Sequence, residues 1–501
     1  MVICIPVMIY FGVNFIIQQL HQILSCNFFF EKLNYFSLQI KILANSIEKI
    51  VDLEINTMIS DLKTLIKIPS VSAKNQSLVE CAEAVSTLMN RVGINSEIIY
   101  LDPKDKDITS PVPPPIVYGE IKSQKNPHGK TILFYNHYDV QPEDPIDQWN
   151  FPPFSGKVSG NYIYGRGASD DKGELITRIK AVEYFLRETG DVPCNIKFIV
   201  EGEEEIGSIH IEKYLTKYKE KFACDGIIWE FGYVNEKNIP IISLGMKGLL
   251  YIELIAYGPN KDTHSSLAVI VENPVWNLIK LLNSIRDENG KILISDWYED
   301  VRNFDHEEEK ILNLELFEED KFKKEYGISK FLGNISGIDV KKALCGSPTC
   351  NIAGFVSGYI EQGAKTIIPS VAQVKLDFRL VPDMEPQKQF ERLQQHIKDL
   401  DFKGIKVNFI HGEAAARTSP KDPFVQMVTE SAKRVFGDVI LNVSSAGTGP
   451  MHAFQKILKA PSVSIGSTYV YSRIHSPNEF TRIDLLTNIT KCLGEIMENY
   501  N

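Results

Sequence analysis

The chain has 501 residues, of which 44% are hydrophobic and 24% are charged, and its formal net charge at pH 7 is −10. This length favours more than one domain, because single hydrophobic cores stop growing beyond roughly 250–300 residues. The acidic balance, without a block of Lys and Arg, excludes nucleic acid as an expected partner. The eight cysteines form no CxxC pair, so we expect free thiols in a reducing compartment, the cytoplasm.

The first 37 residues form an apolar extension. No Asp, Glu, Lys or Arg precedes Glu31, but Asn14, Gln18 and Gln19 interrupt the apolar run. The segment lacks the basic start and the small-residue end of a secretory signal, and its polar residues disfavour a membrane span of about 20 residues. A membrane segment, a processed segment and a mis-assigned start all stay open, and we do not expect membrane association.

Strands alternate with helices between residues 38 and 246. Apolar runs such as KTILFYNHYDV and CNIKFIVEG are typical of buried parallel strands, and QSLVECAEAVSTLMNRVG has the spacing of an amphipathic helix. The same alternation returns between residues 413 and 501. We therefore predict an α/β domain with a mostly parallel sheet, formed by these two parts of the chain.

The intervening segment, residues 247–412, has a different order of elements. Its pattern predicts strand, helix, strand, strand, helix and strand, which is the ferredoxin-like order. A charged stretch from about residue 290 to residue 350 interrupts this pattern. We therefore predict a ferredoxin-like α+β domain that is inserted into the first domain.

Two short stretches carry side chains suited to a metal site. YGRGASDDKGE places Asp170 and Asp171 on a glycine-rich turn, where a divalent cation would offset the cost of burying two anions. In FYNHYDV, His137 and Asp139 lie two residues apart on a strand, so both point to one face and Asp139 can orient the imidazole. Taken alone, the glycine-rich stretch could be a solvated turn, and His137 with Asp139 could be a hydrogen-bonded pair at the surface.

Further carboxylates and a histidine stand where a parallel sheet presents its functional groups. Glu204 and Glu205 follow the strand NIKFIVEG, Glu230 ends another apolar strand, and His475 lies in a loop before the last helix. Such oxygen and nitrogen ligands suit two divalent ions, with zinc favoured and cobalt or manganese also acceptable. A bridging water would complete the site.

Eight segments occur in one order that resembles the aminoacylase/carnosinase family of co-catalytic zinc hydrolases. They are NHYDVQP, GRGASDDKG, EGEEEIGS, GMKG, THSS, GAKTIIPS, FRLVPDM and HSPNE. This family includes cytosolic non-specific dipeptidase, succinyl-diaminopimelate desuccinylase and carboxypeptidase G, and the resemblance extends from about residue 50 to the C-terminus. It implies a zinc-hydrolase catalytic domain at 38–246 and 413–501, with residues 247–412 as a lid and dimerisation domain.

The resemblance also implies a ligand set for two metal ions. By its pattern, His137, Asp170 and Glu230 bind one zinc ion. Asp170, Glu205 and His475 bind the other, so Asp170 is the bridging ligand. The peptide bond that follows Asp170 is expected to be cis.

Catalytic and substrate-binding positions follow from the same resemblance. Glu204 matches the general base, and Asp139 matches the catalytic aspartate beside the first metal ligand. The implied substrate-binding residues are His264, Arg379, Thr366, His411 and Thr448. His264 is expected to reach the active site of the neighbouring subunit in a homodimer, and the Arg379 guanidinium is expected to bind the substrate carboxylate.

The implied reaction is hydrolysis of the amide bond in dipeptides or short peptides that have a free C-terminal carboxylate, by a metal-bridging water and the Glu204 base. The long insertion and the segment GSPTCNIAG resemble the dipeptidase branch. Glu230 differs from that branch, because typical dipeptidases have Asp there and many deacylases have Glu. Deacylation of N-acyl amino acids (desuccinylase or deacetylase type), carboxypeptidase activity and a non-catalytic metal-binding relative therefore stay open.

Overall fold

The computed structural model describes residues 49–102, 112–314 and 317–500. The apolar extension at residues 1–37 lies outside these ranges. Among the described residues, no helix combines the length and the apolar character that crossing a membrane requires.

The strands are β1 (Asn95–Ile99), β2 (Ile116–Ile121), β3 (Thr131–His137), β4 (Lys157–Ser159), β5 (Tyr162–Tyr164), β6 (Asn195–Glu201), β7 (Gly226–Trp229), β8 (Tyr233–Val234), β9 (Ile241–Ser243), β10 (Gly245–Met246), β11 (Gly248–Tyr257), β12 (Thr263–His264), β13 (Thr349–Ser357), β14 (Ile367–Ile368), β15 (Val371–Leu380), β16 (Ile405–Glu413), β17 (Ala416–Arg417), β18 (Ile440–Asn442), β19 (Ser462–Ser464), β20 (Thr468–Tyr469) and β21 (Phe480–Arg482). The helices are α1 (Ile55–Ile66), α2 (Leu78–Arg91), α3 (Lys172–Thr189), α4 (Ile211–Lys217), α5 (Lys219–Phe222), α6 (Pro274–Ile285), α7 (His306–Leu314), α8 (Glu319–Tyr326), α9 (Ile338–Gly346), α10 (Pro386–Asp399), α11 (Pro423–Phe436), α12 (Met451–Leu458) and α13 (Ile483–Asn499).

One sheet has the strand order β1-β2-β6-β3-β7-β19-β9-β18. Its centre is parallel, from β6 through β3 and β7 to β19, whereas β1 and β2 join antiparallel at one edge. Alternate residues of β3 enter different cores: Phe134 packs in the core that contains α3 and α13, and Tyr135 packs with Phe454 of α12 on the other face. The predicted α/β fold is therefore confirmed as a sheet between two helical layers.

A second sheet has the order β13-β15-β11-β16, and all its neighbouring strands are antiparallel. Helices α6 and α10 cover one face, where Leu281 and Leu393 belong to the same hydrophobic core as Ile252. This is the ferredoxin-like arrangement that the sequence pattern predicts. Arg379 on β15 and Glu413 on β16 both pair with Leu249 of β11, so their side chains share the opposite face of the sheet.

The charged stretch that interrupts the second sheet folds into helices α7, α8 and α9. Ile311 and Leu312 of α7 join the core of the first sheet. Glu308 is buried and pairs with Arg302 at 2.9 Å and with Arg417 at 3.5 Å. The insertion therefore packs against the α/β layer, although it belongs in sequence to the inserted segment.

Candidate metal centre

The carboxyl ends of three neighbouring strands meet at one edge of the first sheet. β3 and β6 are parallel, and His137 at the end of β3 lies opposite Glu201 at the end of β6. The turn with Glu204 and Glu205 follows β6 directly, and Glu230 follows β7, which pairs with β3. Parallel strands present functional groups at these ends, and the register brings the three segments to one place.

Asp170, Glu205 and His475 form a compact cluster at this edge. Their ligand atoms all lie within 4.8 Å of one another. His475 Nε2 is 3.1 Å from Asp170 Oδ2 and 3.1 Å from Glu205 Oε2. The His475 side chain is 52% exposed, so this cluster opens to solvent on the side of His475.

The second oxygen of Asp170 faces a different imidazole. His137 Nε2 lies 3.1 Å from Asp170 Oδ1, and the His137 side chain is buried. The other ring nitrogen, Nδ1, is 3.0 Å from the Asp139 carbonyl oxygen and 3.3 Å from Asp139 Oδ1. One carboxylate thus contacts two imidazoles through separate oxygens, which is the arrangement of a bridging ligand. The peptide bond Asp170–Asp171 is cis, as the resemblance implies.

Asp139 also holds the turn that carries the glutamates. Its two carboxylate oxygens accept hydrogen bonds from the backbone N–H groups of Glu204 (3.3 Å) and Glu205 (3.1 Å). Glu204 Oε2 lies 4.0 Å from His137 Nε2. The carboxylate of Glu204 therefore stands beside the cluster.

Glu230 is buried, and its two carboxylate oxygens differ in their hydrogen bonding. Its Oε1 accepts from the indole N–H of Trp229 at 3.2 Å, while Oε2 has no hydrogen-bond partner among the described residues. Its charged neighbours include Glu204, His137 and Asp170. An unpaired buried carboxylate oxygen next to other anions is costly, and a cation would satisfy it.

The buried carboxylates at this edge of the sheet favour the binding of a cation. Burial raises the pKa of Glu204 and Glu230 well above the usual value for Glu. Burial also acts to raise the pKa of Asp170, but hydrogen bonds with His137 and His475 outweigh it and hold that pKa below its usual value. Hydrogen bonds with Asp170 and Glu205 raise the pKa of His475 to about 10. Because imidazole and carboxylate are both common ligands of divalent ions, these residues fit a metal centre.

Arg379, Thr448 and His411 lie on the approach to this cluster. Arg379 Nη1 donates to Thr448 Oγ1, and the Thr448 hydroxyl donates to the Gly248 carbonyl at 3.3 Å. The next residue, Gly449, lies against Glu204, since a Cβ there would be 3.8 Å from Glu204 Oε1. His411 lines a cavity of about 310 Å³ together with Gly449.

His264 and Thr366 are both exposed, on the short β12 and β14 region of the inserted segment. His264 Nδ1 accepts a hydrogen bond from the backbone N–H of Ser266 at 3.1 Å, so the ring proton of the neutral imidazole sits on Nε2. Nε2 faces Thr366 Oγ1 at 3.4 Å. Hydrogen bonds and ion pairs of the described residues do not link this pair to the cluster around Asp170.

Two supporting residues escaped the sequence analysis. Gln141 donates from Nε2 to Glu205 Oε2 at 2.8 Å and from its backbone N–H to Oε1 at 3.2 Å. Glu479 accepts hydrogen bonds from the backbone N–H groups of Ser169 and Asp170. Glu479 belongs to the segment HSPNE and Gln141 to NHYDVQP. Their place in segments that resemble the family was the one sequence feature that could have identified them.

Several known peptidases resemble this chain in sequence and in structure. The chain is 29% identical over 452 residues to Beta-Ala-His dipeptidase from Homo sapiens, with 86% of this chain and 87% of that protein covered. An M20 family metallo-carboxypeptidase from Sulfolobus solfataricus has a TM-score of 0.80 at 37% identity, covering 88% of this chain and 99% of that one. The dipeptidase Dug1p from Saccharomyces cerevisiae has a TM-score of 0.78 at 26% identity, covering 91% and 98%.

The family assignment rests on a longer match than any of the segments above. The sequence profile of peptidase family M20/M25/M40 matches residues 133–499. This range contains each candidate metal ligand, from His137 to His475. The chain therefore belongs to peptidase family M20/M25/M40.

Proposed function

We propose that this chain is a metal-dependent dipeptidase, which hydrolyses the amide bond of dipeptides or short peptides with a free C-terminal carboxylate. The observation that carries this proposal is the Asp170 carboxylate, whose two oxygens each lie 3.1 Å from an imidazole, that of His137 or that of His475. Glu204 stands beside this arrangement. The curated relatives that this chain resembles include dipeptidases.

Two divalent cations fit the ligand set, with zinc favoured and cobalt or manganese as alternatives. His137, Asp170 and Glu230 would hold one ion, and Asp170, Glu205 and His475 would hold the other. When bound, such ions polarise the scissile carbonyl and lower the pKa of a water molecule toward about 7. The unpaired Oε2 of Glu230 supports its place in this set.

Glu204 acts as the general base and then as the general acid. Its carboxylate takes a proton from the attacking water and returns it to the leaving amine, which is the usual pair of transfers in amide hydrolysis. Asp139 is a positioning residue: it holds His137 at Nδ1 and the Glu204 backbone N–H. Asp139 thereby fixes the base relative to the His137 imidazole.

The substrate carboxylate binds to Arg379. A guanidinium matches a carboxylate with two parallel hydrogen bonds, and the Thr448 hydroxyl holds this guanidinium at the catalytic domain. His411 and Gly449 line the same cavity, and Gly449 lies against Glu204, the proposed general base. These contacts support a substrate that is short and ends in a free carboxylate.

A substrate panel tests the proposed activity. Protein loaded with Zn²⁺, Co²⁺ or Mn²⁺ is incubated with Ala-Ala, Leu-Gly, Ala-Ala amide, N-acetyl-methionine and N-succinyl-diaminopimelate. We expect hydrolysis of the free dipeptides and much slower hydrolysis of the amide, because Arg379 then lacks its anionic partner. Turnover of the N-acyl amino acids alone would instead identify a deacylase, which is the alternative that Glu230 keeps open. If none of these compounds is hydrolysed, the dipeptidase activity and the deacylase alternative are both contradicted.

We further propose a homodimer through the inserted domain, with His264 completing the partner's active site. The edge strand β13 exposes apolar side chains, with Ile352 at 52%, Phe355 at 43% and Val356 at 50%. Exposed apolar edge strands are candidate pairing surfaces. The exposed His264 presents a ring proton on Nε2 that can stabilise a developing oxyanion in the neighbouring site.

Replacing His264→Ala should abolish most activity and leave zinc content unchanged, whereas His128→Ala, at another exposed histidine, should behave as wild type. Co-expression with Asp170→Asn sharpens the test, because each variant lacks a different part of the site. In a mixed dimer one of the two sites is complete, so about a quarter of wild-type activity should return. Undiminished activity of His264→Ala, or no recovery in the mixed dimer, would contradict the cross-subunit role.

The cytoplasm is the proposed compartment. Cys81, Cys194 and Cys492 are buried free thiols, which fits a reducing environment. Localisation of a tagged full-length chain tests this proposal directly.

A further inference from the structure

The buried carboxylate of Glu479 joins the two segments that carry Asp170 and His475. Its Oε2 accepts from Arg166 Nη1 at 2.9 Å and from the Gly167 N–H at 3.1 Å. Its Oε1 accepts from the N–H groups of Ser169 at 3.0 Å and Asp170 at 3.1 Å. One fully buried side chain therefore holds four donors of the glycine-rich turn.

Backbone pairing brings the two segments together, and Glu479 then fixes their relative position. Strand β21 follows Glu479 and pairs with β5, and the Gly165 N–H donates to the Glu479 carbonyl at 2.9 Å. Glu479 lies only four residues after His475. A shift of its carboxylate would therefore change the separation between His475 and Asp170, which is now 3.1 Å.

The loop that carries His475 depends on such anchors. His475 and Asn478 both have positive φ, 58° and 65°, a conformation that is uncommon for non-glycine residues, although Asn and His adopt it more often than most. Asn478 is tied by its side chain to the backbone of Asn150 and Gln148. Glu479 is the next anchor along the chain, and its four donors lie in the Asp170 turn.

Glu174 is a comparable buried carboxylate that accepts no hydrogen bond from a candidate metal ligand. It is buried, it pairs with Arg178 at 2.8 Å, and it accepts from the backbone N–H of Ser467 and from Ser467 Oγ and Thr468 Oγ1. Burial, the arginine partner and the number of donors thus resemble those of Glu479. None of these donors belongs to a candidate metal ligand. A substitution of Glu174 therefore serves as a control for the loss of stability that follows when a buried, paired carboxylate is removed.

We propose that Glu479 is a positioning residue that sets the affinity of the metal centre by fixing Asp170 relative to His475. This inference rests on the metal centre described under the proposed function. A glutamine at position 479 would turn an amide N–H toward one of the two donor pairs, which places donor against donor. It would also leave the buried Arg166 without its anionic partner.

The test compares Glu479→Gln with Glu174→Gln after metal has been removed with a chelator. Zn²⁺ affinity is measured by competition with a chelating dye, and the thermal midpoint of unfolding is measured on the same metal-free samples. We expect Zn²⁺ binding by Glu479→Gln to be about 10–100-fold weaker than wild type, as for other residues that orient metal ligands. Glu174→Gln should lose stability and retain wild-type Zn²⁺ affinity.

If the glutamine variants do not fold, the same measurements are made on Glu479→Asp, with Glu174→Asp as its control. Aspartate keeps the charge but is one methylene shorter, so it cannot span both donor pairs, and we expect a smaller loss of Zn²⁺ affinity that is confined to position 479. Wild-type affinity in the position-479 variants, or an equal loss in the position-174 variants, would overturn the proposal. Absence of Zn²⁺ binding by wild type would instead overturn the metal centre itself.

Discussion

The Glu204→Gln variant should lose about 10²–10⁴-fold in kcat, the range that general acid–base catalysis supplies, while it keeps its metal content. The Glu204 carboxylate lies 4.0 Å from His137 Nε2 and is not one of the proposed ligands. An amide of the same size cannot accept the proton of the attacking water. Steady-state kinetics together with metal analysis of the purified variant checks this expectation.

Glu203→Gln is the matched control for this variant. Glu203 belongs to the same run of three glutamates, but its carboxylate contacts His210 at 2.9 Å instead of facing the cluster. We expect a far smaller loss of kcat from Glu203→Gln. Ordinary turnover by Glu204→Gln, or its loss of metal together with activity, would refute the assignment of Glu204 as the base.

The Asp170→Asn variant should lose metal and activity together. Each carboxylate oxygen of Asp170 faces one imidazole, so the substitution removes an anionic ligand from both proposed ion positions. We expect Zn²⁺ affinity to fall by more than the about 10–100-fold that follows when a residue that only orients a metal ligand is mutated. Metal analysis after dialysis, followed by the dipeptide assay, provides the measurement.

Metal restoration is the control for this prediction. Wild-type protein stripped with a chelator should regain activity when Zn²⁺, Co²⁺ or Mn²⁺ is added, whereas Asp170→Asn should stay inactive at the same metal concentrations. Recovery of Asp170→Asn to wild-type activity would show that Asp170 is dispensable, and the bridging arrangement would then be wrong.

The sheet end that carries the site could be predicted from local patterns. KTILFYNHYDV is apolar along most of its length and ends in a polar pair, which is how buried parallel strands end. The structure indeed ends β3 at His137. The ferredoxin-like order of the inserted segment was equally visible, because its strands and helices have different apolar periods.

The folding of the charged insertion was not predicted. In α7, Glu307, Glu308 and Glu309 form the first helical turn, and such a run is typical of a solvated helix face. Glu308 is nevertheless buried, because Arg302 and Arg417 offset its charge. Arg417 is more than 100 residues away in sequence, so no local pattern could reveal this pairing.

The anchoring of the candidate site was also hidden from the sequence. A glutamate after a loop is usually solvated, but Glu479 is buried because four donors from residues 166–170 converge on it. These donors are mostly backbone N–H groups, which every residue except proline carries. Their convergence follows from pairing of β21 with β5, a tertiary feature.

Anomalous X-ray diffraction from crystals grown with Zn²⁺ tests the dinuclear centre most directly. We expect two anomalous peaks roughly 3.5–4 Å apart, the separation of co-catalytic ions, with the Asp170 carboxylate between them. One peak should lie against His137 and Glu230, and the other against Glu205 and His475. A single peak, or peaks away from Asp170, would contradict a dinuclear centre bridged by Asp170.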